Sequence, residues 1–223
     1  MAFSLVSSTK VVGTHDVTTP ITTPAINTTG AKLLVAFVMT YSTFCGTLSD
    51  SKSNSWTKLT TCTYAGRTGS LYYCANPTAG TGHSFTFSGY NYQAVLFVQA
   101  WDGAAASPFD AENTGTASGA TSISTGFVSP TVDGALIITG VVQANSGSCG
   151  IGSPFTKTDE FVDNPATDYC GGAIADLVQT SKCAVNPAWS WTGATAASAA
   201  IACFKPASGA SGGSPFVFQP FAL

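Results

Sequence analysis

Charge is what this sequence has least of. Lys and Arg together number 8, Asp and Glu 11, and charged residues make up 9% of the 223 positions. An ordinary soluble domain carries about 25%. Ser, Thr, Asn, Gly and Ala must therefore cover the surface. That suits a protein held in an assembly or facing a harsh exterior, and it equally suits a plain Thr/Ser-rich β-protein. The net charge is −3 and there is no basic stripe, so the electrostatic footprint of a nucleic-acid binder is missing.

Other absences narrow the class further. No apolar run approaches the roughly 18 residues that span a bilayer. The longest, residues 33–39, is strand-length. The opening MAFSLVSSTKVVG has no charged segment followed by a long apolar stretch, so a secretory leader is not expected. The seven cysteines, Cys45, Cys62, Cys74, Cys149, Cys170, Cys183 and Cys203, contain no CxxC and no Cys/His zinc spacing. Cys62 and Cys74 flank a tight AGRTG segment and could bridge a hairpin, although buried free thiols fit a cytoplasmic product better. Neither a metal nor another cofactor is expected.

What is present is a repeat. The first half runs TPAINTTGAKLLVAFV, Cys45-Gly46, WTKL (56–59), SLYYCANP and AVLFVQAW (94–101). The second runs SPTVDGALIITGVV, Cys149-Gly150, FTKT (155–158), AIADLV and AAIACF (199–204). Five landmarks recur in one order about a hundred residues apart, in halves spanning about 20–103 and 125–206. Two long units do not make a solenoid.

Both units read as strands: Val-, Ile-, Phe-, Tyr- and Thr-rich runs bounded by Gly, Pro, Asn and Ser. HSFTFS (83–88) alternates, which puts Phe85 and Phe87 on one face. WSWTG reads as a turn, and ATAASAA (194–200) is helix-compatible in composition. The expected fold is an all-β, two-sheet antiparallel sandwich or jelly roll built from two similar halves over residues 1–206. A Gly/Ser linker (207–214) and a Phe-rich tail, PFVFQPFAL (215–223), follow. The tail reads as a docking peptide for a groove of a neighbour or of its own domain, with Phe216, Val217, Phe218 and Phe221 as the partner-docking side chains. The bland alternative makes Phe216 and Phe218 part of an edge strand.

Few motifs carry chemistry. Gly209–Gly213 matches GxSxG around Ser211, but a glycine linker stands where a nucleophile elbow needs a strand and a helix. His15 and His83 read as surface or strand-end residues. The two glutamates, Glu112 and Glu160, are far apart in sequence, whereas glycoside hydrolysis uses a carboxylate pair. Asp50 with Ser53 and Asn54, and Asp159 with Glu160 and Asp163, are oxygen-rich loops that match no calcium-loop spacing, and turn formation explains them better than calcium does. Asn27-Thr28-Thr29 is a glycosylation sequon without a leader to make it matter. Tyr90, Tyr92, Trp189 and Trp191 are candidate glycan-stacking rings, although the WSW pair shares one face of a strand and fits a core better.

LSDSKSNSWTKL (48–59) and the closing AAIACFKP (199–206) resemble a pattern in β-sandwich proteins of bacteriophages and bacterial surfaces. In that pattern an Asp-Ser/Asn turn precedes an Asn-Ser/Thr-Trp strand. The resemblance covers most of residues 20–206, and the second half departs from it with SPFTK. It implies a lectin-like jelly roll with no catalytic residues to carry over and, for phage members, a place on the virion surface. The expected function is thus that of a virion accessory protein, a capsid decoration or a head- or tail-attached adhesin. Its expected partners are other virion proteins, copies of itself and cell-surface glycan, without nucleic acid or membrane insertion. A carbohydrate-binding module is the alternative, and an enzyme is not expected.

Overall fold

Residues 33–41 alternate in purpose as well as position. Leu33, Val35, Phe37 and Met39 enter one core, while Leu34, Ala36 and Val38 enter another. A strand apolar on both faces must lie between two layers, and the molecule is layered accordingly. The computed structural model describes residues 2–14, 20–42, 46–89, 92–144, 147–162 and 170–208. The first half contributes β1 (Ser4–Val12), β2 (Ile21–Thr22), β3 (Leu33–Tyr41), β4 (Thr47–Asp50), β5 (Thr57–Lys58), β6 (Cys62–Tyr64), β7 (Arg67–Ala75), β8 (Phe85–Ser88) and β9 (Gln93–Asp102). The second contributes β10 (Ala104–Ser124), β11 (Leu136–Gln143), β12 (Gly150–Ile151), β13 (Thr156–Phe161), β14 (Gly171–Val178) and β15 (Ala188–Pro206).

The fold is all-β and antiparallel, with no helix among the described residues. Each half closes its own large sheet. The orders are β1-β9-β3-β7-β5 and β10-β15-β11-β14-β13, one order used twice. Register makes the duplication quantitative. Leu33 pairs with Trp101 and Ala75, and Leu136 pairs with Phe204 and Val178. Every one of these equivalents lies 103 residues on (33 to 136, 75 to 178, 101 to 204). The halves begin earlier than the sequence landmarks suggest, because β1 and the start of β10 are equivalent edge strands.

The outer layer also recurs. In the first half β2-β8-β4 forms a three-stranded flap in which Ile21 and Leu48 flank Phe87. In the second, Ile123 of β10 and Ile151 of β12 flank Trp189 of β15. Here flap and sheet share continuous strands of 21 and 19 residues. Those strands fold over near Gly119 (φ 58°) and Gly193 (φ 84°), a backbone region open to glycine. WSW is therefore strand rather than turn, and residues 194–200 are strand rather than helix.

The two large sheets face each other over the main core, which draws on β3, β7 and β9 from one side and β11, β14 and β15 from the other. Equivalent central positions carry unequal side chains. Phe37 pairs with Phe97, whereas Gly140 pairs with Ala200. A methyl group on Gly140 would lie 2.5 Å from the Phe37 ring. The bulk of one copy thus fills the space left by the other, as close packing requires. Polar contacts pin the sheets in register: Lys10 Nζ to Asp159 at 2.7 Å, Ser198 Oγ to the Arg67 carbonyl at 2.8 Å, and the Thr60 amide to Glu112 at 2.8 Å. Cys62 belongs to the core between the sheets and Cys74 to the core under the flap. The two face opposite sides of their sheet and form no hairpin bridge with each other.

Candidate functional site

Strand β4 ends on Asp50, and the chain then makes a turn that the aspartate itself organises. Asp50 Oδ1 accepts from the Lys52 amide at 2.8 Å and from Asn54 Nδ2 at 3.1 Å, while Oδ2 accepts from Trp56 Nε1 at 2.7 Å. A short acidic side chain that bonds the backbone two residues on is a common turn device. Asn54 extends the network, taking the Thr78 amide at 2.7 Å. Behind Asp50 lies His83, whose side chain is fully buried and stacked on Phe85 with ring centroids 4.4 Å apart. His83 Nε2 approaches Asp50 Oδ1 to 3.1 Å, without the alignment of a hydrogen bond. Its Nδ1 lies 2.9 Å from Thr28 Oγ1, and that hydroxyl accepts from the Gly80 amide at 3.0 Å. Burial works to raise the Asp50 pKa, but the bonds from Trp56, Lys52 and Asn54, together with the close His83 ring, outweigh it and hold the carboxyl below its ordinary value.

A hydroxyl, an imidazole and a carboxylate in line formally match the parts of an acyl-transfer triad. The arrangement serves a different end. Thr28 and His83 have no exposed surface, and neither they nor Asp50 line any of the surface depressions described below. The set closes the first half by stitching residues 28, 50–56 and 76–83 together. His83 is thus no surface residue, and the Asp50–Asn54 oxygens are engaged by protein donors.

The second half fills the same place differently. The bridge between Ile26 and His83 recurs between Val128 and Val185, so Val185 stands where His83 stands, and Pro130 where Thr28 stands. Thr57 pairs with Tyr73 and Thr156 with Asp176. Tyr73 and Asp176 are 103 residues apart, but Thr57 and Thr156 only 99, so the preceding loop is four residues shorter. Phe155 replaces Trp56, and the residues that satisfied Asp50 are missing. The result is a groove instead of a plug. It comprises a depression of about 240 Å³ lined by Pro154, Phe155, Val185 and Asn186, and one of about 420 Å³ that shares Pro154 and Val185 and adds Leu177, Val178, Gln179 and Thr180. A third, of about 580 Å³, shares Thr180 and reaches Val132, Pro206 and Ser208.

The aromatic candidates separate. Trp189 has no exposed surface and Trp191 only 7%. Their indole nitrogens donate inward, to Thr139 Oγ1 and the Ala120 carbonyl, each at 3.1 Å. Neither ring is offered to a sugar, which corrects the glycan-stacking expectation for that pair. Tyr92 is 50% exposed at a left-handed φ of 67°. Its ring lies 5.6 Å from that of Tyr41, over which the Arg67 guanidinium sits at 4.6 Å. Tyr90 lies outside the described residues, as do His15, Cys45, Asp163, Ser211 and the tail residues Phe216, Val217, Phe218 and Phe221.

The second acidic loop is taken up by lysines. Asp159 pairs with Lys10 and Glu160 with Lys157, each at 2.7 Å. Burial would raise the Glu160 pKa, but Lys157, Ser148 and the Cys149 amide hold it low. Burial, with Glu160 nearby, pushes the Cys149 thiol up to about 12, so it is no nucleophile at neutral pH. Burial also raises the Asp176 pKa, against the hydrogen bonds from Thr158 and Gln99. No group of three metal-ligating side chains converges among the described residues. Sequence reasoning missed the Asp50–His83 pairing. The signal was the repeat itself: the first half has four extra residues in this loop, and its histidine answers to a valine. Comparison with family models, curated proteins and solved structures finds no match to this chain.

Proposed function

We propose that this chain is a structural accessory protein of a bacteriophage virion, a capsid decoration or a head- or tail-attached adhesin that works through its surface rather than through chemistry. The observation that carries the reading is the fate of the acid–base groups. Thr28, His83 and Asp50, which have the parts of a catalytic centre, are spent on closing the fold. Sparse charge and a duplicated sandwich pinned by contacts between its sheets suit a durable surface component. Its partners in this reading are other virion proteins and copies of itself. The test is whether the chain bands with virus particles in a density gradient of the culture that produces it. Recovery only in the particle-free fraction would overturn the proposal.

Adhesion to glycan is the second reading, favoured by the Tyr41–Tyr92–Arg67 corner. An exposed ring beside a cation can stack a sugar and meet an acidic substituent. A glycan array that lights up with the native chain and goes dark with Tyr92→Ala supports it, and a blank array removes it.

A further inference from the structure

The groove of the second half ends where the described chain ends. Ser208 and Pro206 line its near depression, Thr180 carries it into the middle one, and Pro154 and Val185 carry it to Phe155. Its walls are largely apolar, and Val132 and Val178 are left 38% and 36% exposed. Two residues that line it carry a buried acceptor without a donor. Gln179 is 6% exposed, and its Nε2 donates to the Cys183 carbonyl at 3.2 Å, yet its Oε1 has no partner. Asn186 Oδ1 is buried without one as well. An unpaired buried acceptor costs about 1–3 kcal/mol, which a small turn of either side chain toward a peptide amide in the groove would relieve.

We propose that this groove binds residues 215–223 of its own chain. The segment PFVFQPFAL carries three phenylalanines and no charged side chain, which matches walls that offer mainly apolar contact. Six residues, 209–214, connect it to Ser208. Extended, they span at most about 20 Å, and they begin at the groove itself. A short flexible tether gives an effective concentration near 1 mM, above that of any second copy at micromolar protein. The tail thus supplies to the second half what the 50–56 loop supplies to the first. The inference concerns the chain's own closure and does not rest on the functional reading above.

Cys183 provides the readout, because it lines the groove and is exposed while the other described cysteines are buried. Its alkylation by iodoacetamide is followed by mass at the peptide that contains it. In the full chain labelling should be about tenfold slower than in a chain ending at Ser208, the ratio expected for a 1 mM tether against a Kd near 0.1 mM. The variant F216S/F218S/F221S, which keeps the full length, should label as fast as the truncated chain. Equal rates in all three would overturn the proposal. Protection that grows with protein concentration would overturn it too, by assigning the groove to a second copy's tail.

Discussion

The two halves share one strand order and one residue offset, and they differ most where the loop after the fourth strand meets the strand after the turn. In the first half that place holds Asp50 bonded to Trp56 and set close against the buried His83 ring. In the second it holds Phe155 and Val185 and stays open as a groove. A shared backbone thus tolerates two ways of closing the same corner, one by hydrogen bonds inside a loop and one that leaves an apolar slot. The second half lacks the parts as well as the length: its loop is four residues shorter, Ser153 stands in place of Asp50 and Val185 in place of His83. The comparison also explains the centre of the sandwich, where Phe37 and Phe97 in one copy oppose Gly140 and Ala200 in the other. Two identical faces could not both carry the large residues or both carry the small ones.

The largest effects should come from disturbing that complementarity. Phe37→Ala should cost about 3–5 kcal/mol by urea denaturation, since it empties the space both copies share. Gly140→Ala should cost about 1–3 kcal/mol through overpacking. Adding Phe37→Leu to Gly140→Ala should recover part of that loss, because the two positions touch and do not add. Independent, additive costs would deny the contact.

The plug comes next. Asp50→Ala should lose about 2–4 kcal/mol, since it strands the Trp56 indole N–H beside a buried imidazole. Its counterpart Ser153→Ala, on an exposed loop, should stay within about 0.5 kcal/mol. Similar losses at both would mean the two corners are closed alike.

Acid separates the carboxylates by sign. Asp50 and Glu160 have lowered pKa values in the fold, so the stability they contribute is present above the ordinary carboxylate value and lost as pH falls through their folded values. Asp176 is raised, so its contribution is present below the ordinary value and lost as pH rises through its folded value. Urea midpoints measured from pH 7 down to about pH 3 should fall less steeply for Asp50→Asn than for the native chain. They should fall more steeply for Asp176→Asn, which removes a carboxyl that gains from acid. The smallest effect should be at the aromatic corner, where Tyr92→Ala should shift stability by less than about 0.5 kcal/mol.

Much of the architecture was legible because strand spacing and repetition are local. WTKL and FTKT (56–59 and 155–158) aligned in sequence, and register places Thr57 and Thr156 at equivalent sites. Phe85 and Phe87 were assigned to a buried face by alternation and are fully buried. WSWTG failed as a turn because β15 bends while keeping its pairing, and glycine there marks a fold in the strand rather than its end. His83 failed because its burial depends on Asp50 and Thr28, which are 33 and 55 residues away in the chain. Single residues that far apart leave no periodic trace. The groove was illegible for a related reason, since it is made by residues the second half lacks.

One shared interior requires that the two halves open together. Native-state hydrogen exchange across a urea series reads this directly, at the slowest amides of residues 34–38 in β3 and 137–141 in β11. Facing copies over a common core should give both strands one opening free energy with one urea dependence. Two distinct openings, with one strand exchanging while the other stays protected, would show two independent units and contradict the sandwich as described.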